Sequence, residues 1–239
     1  MIIYTHTDCL LKENGTNHPE RKERLDSVIN SINRIKDFKI IKKKAPLADI
    51  KTISLVHPKK YIRKIFSNIP KTGLVGVEKE PYADTMLCSN SKKAILRSCG
   101  AGIAAADDLM NKNERIFCAI RPPGHHAETE KAMGFCFINN IAVAARYIQK
   151  KYKVDKVAII DFDVHHGNGT QNIFYDNEKV LYISSHQYPY YPGSGAANEK
   201  GNKNNILNVP LAAGTQPHEF LNAYENIFKK LKEFKPEFI

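Results

Sequence analysis

The apolar positions of this chain follow two alternating rhythms. MIIYT at residues 1–5 is a short apolar run, as expected of a strand covered on both faces. Over residues 19–35 the period changes. Leu25, Val28, Ile29 and Ile32 recur at helical spacing behind acids in the first turn, which predicts an amphipathic helix. A short strand is expected at 39–42, short helices at 48–56 and 58–69, and a longer alanine-rich helix at 89–110. Residues 115–120 read as a buried strand, 140–150 as a helix and 156–163 as a strand. A short helix at 168–175, strands at 180–184 and 206–209 and a helix at 217–234 complete the series. After Lys235 and Pro236, EFI reads as the start of another strand. Strands alternating with helices imply a three-layer α/β sandwich with a mainly parallel sheet. In such folds ligands bind beyond the carboxyl ends of the strands.

The polar segments fall at those ends: RPPGHHAE at 121–128, DFDVHHGNG at 161–169 and SSHQYPYYPGSG at 184–195. Side chains alternate along a strand, so Asp161, Asp163 and His165 are expected to point the same way. Oxygen and imidazole donors in one small volume suit a divalent metal of the zinc type. The competing reading is a carboxylate capping a neighbouring helix beside a packed histidine. In RPPGHH, Pro122, Pro123 and Gly124 set a stiff turn that presents His125 and His126 side by side. Paired histidines near a metal can serve as general base and general acid for an attacking water. A single histidine is more often structural, but two pairs, each following a predicted buried strand, argue for chemistry.

Composition narrows the setting. With 239 residues, 42% of them hydrophobic, the chain suffices for one domain with a sizeable core. No linker, repeat or low-complexity block divides it, and no apolar run approaches the ~20 residues of a membrane span. The N-terminus does not read as a signal peptide. Five cysteines without a CxxC pair fit a reducing, cytoplasmic compartment. The net charge is +11, with clusters at Lys42, Lys43 and Lys44 and in PKKYIRK at 58–64. No nucleic-acid motif accompanies them, so they read as a solvated lysine-rich surface, without a specific nucleic-acid partner.

Taken together, His18-Pro19-Glu20-Arg21, RPPGHHAE, GFCFINN, DFDVHHGNGT and YISSHQYPYYPGSG resemble the histone deacetylase family, with its bacterial acetoin-utilisation and acetylpolyamine amidohydrolase relatives. The resemblance implies an arginase/deacetylase-like fold across 1–239 and one zinc ion. By position, Asp163 and His165 look like two zinc ligands. His125 and His126 look like the tandem histidines that activate water and protonate the leaving amine. Asp161 would stand behind His125. Asn168 would partner His126, as in the class II-like branch. Gly134 and Phe135 in GFCF, together with Tyr191, would line a narrow acyl-lysine tunnel, with ordinary core aromatics as the alternative for Phe135 and Tyr191. Asp84 in YADT would bond the substrate backbone, and Asp161 and Ser184 fall at a potassium position.

The implied reaction is hydrolysis of an N-acyl amide, on an acetylated protein or a small acylated amine such as an acetylpolyamine. The family's third zinc ligand comes from a GFDAH-like segment and its oxyanion donor from a Gly-Gly-Tyr loop. Neither segment is in this sequence. The expectation is therefore a single domain incomplete at its C-terminus, through a stop, a split gene or an incomplete record. Such a chain would be a non-catalytic remnant or one half of a split deacetylase, partnered by a C-terminal fragment or a second copy. A two-metal arginase-like hydrolase is disfavoured by Gly167, which stands where a further Asp would help hold a second metal.

Overall fold

A computed structural model describes residues 1–77, 83–112 and 114–239. The chain divides into two compact units, Met1–Ile148 and Gln149–Ile239. Each contains a parallel sheet, so the α/β class read from the alternating pattern holds.

In the first unit, β1 (Ile2–Thr5) lies between β2 (Ile41–Lys44) and β5 (Ile116–Cys118), and both pairings are parallel. Ile2, Ile3 and Tyr4 are buried, as a central parallel strand requires. β2 begins two residues later than its sequence pattern suggested. Its register places Ile41 opposite Ile2, and tertiary pairing sets the boundary. β5 corrects the expectation of a buried strand at 115–120. It is shorter and forms an edge of its three-stranded sheet, and Phe117 is exposed. A β3–β4 pair, Val75–Gly76 against Met86–Leu87, is antiparallel and has no clear signature in the sequence.

The helices of this unit follow the apolar period. α1 (Lys22–Arg34) buries Leu25 and Ile32 against Ile3 and Cys9. α2 (Ile50–Ile53) is capped by Asp49, whose carboxylate accepts from the Thr52 amide at 2.8 Å. That bond satisfies one otherwise orphaned helix-start donor. α3 (Lys59–Ser67) turns Tyr61, Ile62 and Ile65 inward, where they meet Ile53, Leu87, Ile95 and Phe137. Its lysines stay outside. α4 (Ser91–Lys112) contributes Ile95 and Cys99 to the same core, and α5 (Asn140–Tyr152) contributes Val143.

In the second unit, β6 (Val157–Asp161), β7 (Val180–Gln187) and β8 (Ile206–Leu211) form a parallel sheet in that order. Phe238 adds a parallel bridge to Val157, with the Ala158 amide donating to its carbonyl at 2.8 Å. EFI thus does begin as a strand would. α6 (Asn168–Phe174) follows β6 closely. α7 (Pro217–Phe234) opens with proline in its first turn and a reciprocal Gln216–Glu219 capping box. It packs Ile227 and Leu231 onto Ala158, Leu181 and Ile183.

Candidate active site

In the first unit the polar loop after β5 has little regular structure, yet it is deeply anchored. Arg121 begins it and is buried. Its guanidinium binds both carboxylate oxygens of Glu20 and donates to the carbonyls of Cys9 at 3.0 Å and Lys12 at 3.2 Å. Lys12 is buried beside the same carboxylate, at 3.8 Å, and bonds Asn14. Burial pushes the Lys12 ammonium down to about 8, although Glu20 pulls it up. Burial alone would raise the Glu20 carboxyl, but Arg121 and Lys12 outweigh it and hold the group low.

His125 and His126 follow, their ring centroids 4.0 Å apart and tilted by 44°. His126 is buried. Gly134 has φ +55 and its backbone lies against the His126 ring. A Cβ there would come within 2.4 Å of His126 Cδ2, so only glycine fits. Phe135 also sits in the left-handed region, at φ +68. Its amide donates to Thr85 Oγ1 at 3.1 Å, and Thr85 donates to the Asp84 carboxylate at 2.9 Å. The His18 ring meets Phe135 edge-on at 4.7 Å and bonds the Asp84 carbonyl through Nε2 at 2.9 Å. The unit thus brings His126, Gly134, Phe135 and Asp84 into one connected patch. Sequence reasoning had not assigned the positions of Thr85 and His18 in it. The HPE motif marked His18, but nothing in the pattern marked Thr85.

In the second unit one expectation needs correction. β6 ends at Asp161, so Asp163 and His165 are not strand residues. Their common direction comes from side-chain bonds to the backbone two residues on. Asp161 Oδ1 accepts from the Asp163 amide at 3.2 Å, and Asp163 Oδ1 accepts from the His165 amide at 2.9 Å. These are Asx-type turns. The result still pairs the donors: His165 Nδ1 is 3.3 Å from Asp163 Oδ1. Tyr190 stacks on His165 at 5.1 Å, and Tyr191 meets it edge-on at 5.7 Å. The sequence reading named Tyr191 but not Tyr190.

Asp161 and Ser184 lie opposite each other in the β6–β7 register. Asp161 Oδ2 accepts from the Tyr182 hydroxyl at 3.0 Å, and Ser184 Oγ meets His186 Nδ1 at 2.9 Å. Burial, then Asp161, raises the Tyr182 phenol well above its ordinary value. Asn168 is the first residue of α6.

His166 points away from solvent into a network of its own. Its ring bonds Ser194 at 2.8 Å and Gln171 at 3.1 Å. Burial, then His186, pushes it down to about 4. Glu199 accepts from the Gly195 and Ala196 amides at 3.0 Å each and from Gln171. Burial would raise its carboxyl, but these donors hold it below the usual range. The network ties the loop of Tyr190 and Tyr191 to α6 and β8.

Tetrahedral zinc with bonds of about 2.0–2.1 Å sets two ligands about 3.3–3.4 Å apart. The carboxylate–imidazole pair of Asp163 and His165 has that spacing and the right donor chemistry, so it fits two corners of such a site. Among the described residues no group of three or more His, Cys, Asp or Glu side chains is placed to hold a metal ion. No helix among them is long and apolar enough to cross a membrane.

These loops and parallel sheets are those of one family. The description "Histone deacetylase domain" matches residues 18–239, and the chain belongs to that family. It is 34% identical to a probable deacetylase of Archaeoglobus fulgidus, over 99% of this chain and 66% of that protein. The HDA15 HD domain superposes with a TM-score of 0.91 at 31% identity, covering 99% of this chain and 71% of that one. The fold is also shared with acetylpolyamine aminohydrolase from Burkholderia pseudomallei, at a TM-score of 0.83 and 24% identity, over 99% of this chain and 80% of that one.

Proposed function

We propose that this chain carries part of the machinery of a zinc-dependent deacetylase that hydrolyses an N-acyl amide, on acetyl-lysine or an acetylpolyamine. The observation that carries the reading is the Asp163–His165 pair, whose donor atoms stand at the 3.3 Å expected of two ligands on one cation. When bound, zinc would act as a Lewis acid toward the acyl carbonyl and the attacking water. His125 and His126 are assigned the proton transfers: a ring nitrogen takes the proton of the water, and a ring nitrogen returns one to the departing amine. Asp161 and Asn168 are assigned to orient that pair. Phe135 and Tyr191, with Gly134, would flank the aliphatic stem of the acylated side chain, and Asp84 would accept from the substrate backbone. Asp161 and Ser184 would hold a potassium ion.

The reading is tested by assaying the purified chain with zinc on acetyl-lysine peptide and acetylpolyamine. The chain is assayed alone and mixed with a polypeptide carrying GFDAH- and Gly-Gly-Tyr-type segments. The chain alone is expected to be nearly inert. Among its described residues no group of three or more potential ligands gathers, and two ligands hold zinc less well than three or four. The mixture is expected to turn over, and His126→Ala or Asp163→Ala to abolish that turnover. A mixture that never turns over, or turnover indifferent to both substitutions, would overturn the reading.

A further inference from the structure

His57, between α2 and α3, is fully buried and takes no part in the chemistry assigned above. Its two ring nitrogens have different partners. Nδ1 lies 3.0 Å from the Thr129 carbonyl oxygen, which can only accept, so Nδ1 carries the proton. Nε2 receives the Asn139 amide at 2.9 Å, so it presents its lone pair. The surroundings therefore select one neutral tautomer. Burial, which pushes the imidazole down to about 4, keeps it neutral. The ring stacks on Tyr61 at 5.4 Å, and the Tyr61 hydroxyl donates to the Phe137 carbonyl at 2.7 Å.

These contacts fall on the irregular loop that carries His125, His126, Gly134 and Phe135. Thr129 and Asn139 lie ten residues apart in it, and one ring joins them. Asn139 passes the restraint on. Its side-chain nitrogen donates to the Ala127 carbonyl at 3.3 Å, next to His126, while its oxygen accepts from the Ala142 amide at 3.1 Å in the first turn of α5. A loop this buried must satisfy its backbone groups without a sheet or helix, and His57 supplies a donor and an acceptor at once.

We propose that His57 is a positioning residue for the tandem histidines, acting through Asn139 and the Thr129–Asn139 span rather than on substrate. The proposal rests on the reading of His125 and His126 as the proton-transfer pair. A core histidine with only a packing role would alter stability and leave the rings of His125 and His126 where they are.

The test separates the two bonds. His57→Gln can place an amide oxygen where Nε2 stood, keeping the Asn139 bond. His57→Asn can place an amide nitrogen where Nδ1 stood, keeping only the Thr129 bond. His57→Leu keeps neither. In ¹⁵N-labelled chain, His57 should show a protonated Nδ1 and an unprotonated Nε2. The Asn and Leu variants should lose roughly tenfold or more of the Asn139 amide's exchange protection, and the His126 ring resonances should shift. The Gln variant should retain both. Ile32→Val, in the α1 core cluster that contains no residue of the 121–139 loop, serves as a control that lowers stability without touching the loop. In the complemented assay, kcat should fall roughly 10- to 100-fold in the Asn and Leu variants with KM unchanged, and Gln should restore most of it. Ring resonances and Asn139 exchange unmoved in the Asn variant, or moved no further than in Ile32→Val at equal loss of stability, would overturn the proposal. If wild-type mixtures never turn over, the functional reading falls while the resonance measurements still decide the role of His57.

Discussion

Between β5 and α5 the chain is irregular, yet His126 is only 4% exposed and Phe137 and Asn139 are fully buried. Just after β6, Phe162 is 74% exposed and Val164 52%, and the Asp163 and His165 side chains between and beside them are partly open. The first loop is held from several elements: Arg121 on Glu20, His57 on Thr129 and Asn139, Tyr61 on Phe137 and Thr85 on Phe135. The second is tied to β7 through Tyr182 on Asp161 and the Gln187 amide on the Val164 carbonyl, while its exposed residues carry bonds to residues two apart and the ring of Tyr190 stacked on His165. On the proposed reading the first loop carries the proton-transfer groups, which gain from being pre-set by packing, and the second a metal pair, which can stay open because the ion itself would supply the energy that orders its ligands. The contrast predicts that damage to the first loop is read in stability and damage to the second in metal affinity.

The strongest test strikes the anchor of the first loop. Glu20 is the carboxylate that faces both Arg121 and Lys12 in their buried cluster. Glu20→Gln leaves two buried cations without a counter-charge. A loss of about 3–5 kcal/mol is expected, read as a lower urea midpoint at unchanged slope. A loss within experimental error would mean that the cluster is far wetter than its burial implies.

The same cluster gives a pH signature. The folded Lys12 ammonium sits at about 8, against an ordinary 10.5. Between those values the unfolded chain holds a proton that the folded chain has released. The Lys12 contribution therefore rises with pH across that window and is least favourable below it. Lys12→Met should remove this rise. The check is the difference between wild-type and variant unfolding free energies from pH 7 to 10, since thiols such as Cys118, which desolvation raises to about 12, push the other way in both proteins. Parallel profiles would refute the shift.

A smaller effect compares the loops through one glycine each. Gly134 lies against His126, and Gly195, at φ +96, lies against His186 and His166. Alanine at either position brings a Cβ to 2.4 Å from a ring atom. Each substitution should cost about 1–3 kcal/mol in strain and overpacking. Only Gly134→Ala should move the His126 ring resonances, and only Gly195→Ala those of His166. Exchange of those effects, or their absence, would break the assignment of each glycine to its own histidine.

The legible parts of the molecule are those where pattern and packing agree. α7 spans the 217–234 that its pattern predicts, and proline and a capping box fix its start. Central strands such as β1 and β7 showed as apolar runs. β5 misled, because an apolar run does not reveal whether a strand is central or at an edge. The Asp163–His165 pair was found for a partly wrong reason. A period of two is common to a strand and to consecutive Asx-type turns, so the pattern gave the shared direction but not the local structure. The roles of His57 and Thr85 depend on backbone partners far along the chain, and that of Tyr190 on a ring contact with His165, neither of which any periodicity encodes.

The smallest effect on stability should come from Asp163→Ala, and it is the one that best sharpens the contrast between the loops. Asp163 is about half exposed, and what it supports locally is the His165 amide. Removing one partly solvated turn bond should change unfolding free energy by only about 0.5 kcal/mol or less. Its effect on zinc should be disproportionate. On the proposed reading Asp163 and His165 are two zinc ligands, and two hold a zinc-type cation less well than the usual three or four, so the chain alone should bind weakly and loss of Asp163 should leave no measurable site. Calorimetric titration with zinc, run beside urea unfolding of the same preparations, reads both quantities. Strong zinc binding that survives Asp163→Ala would place the metal elsewhere. A large loss of stability without loss of zinc would make Asp163 a structural cap, the competing reading that its turn bonds leave open.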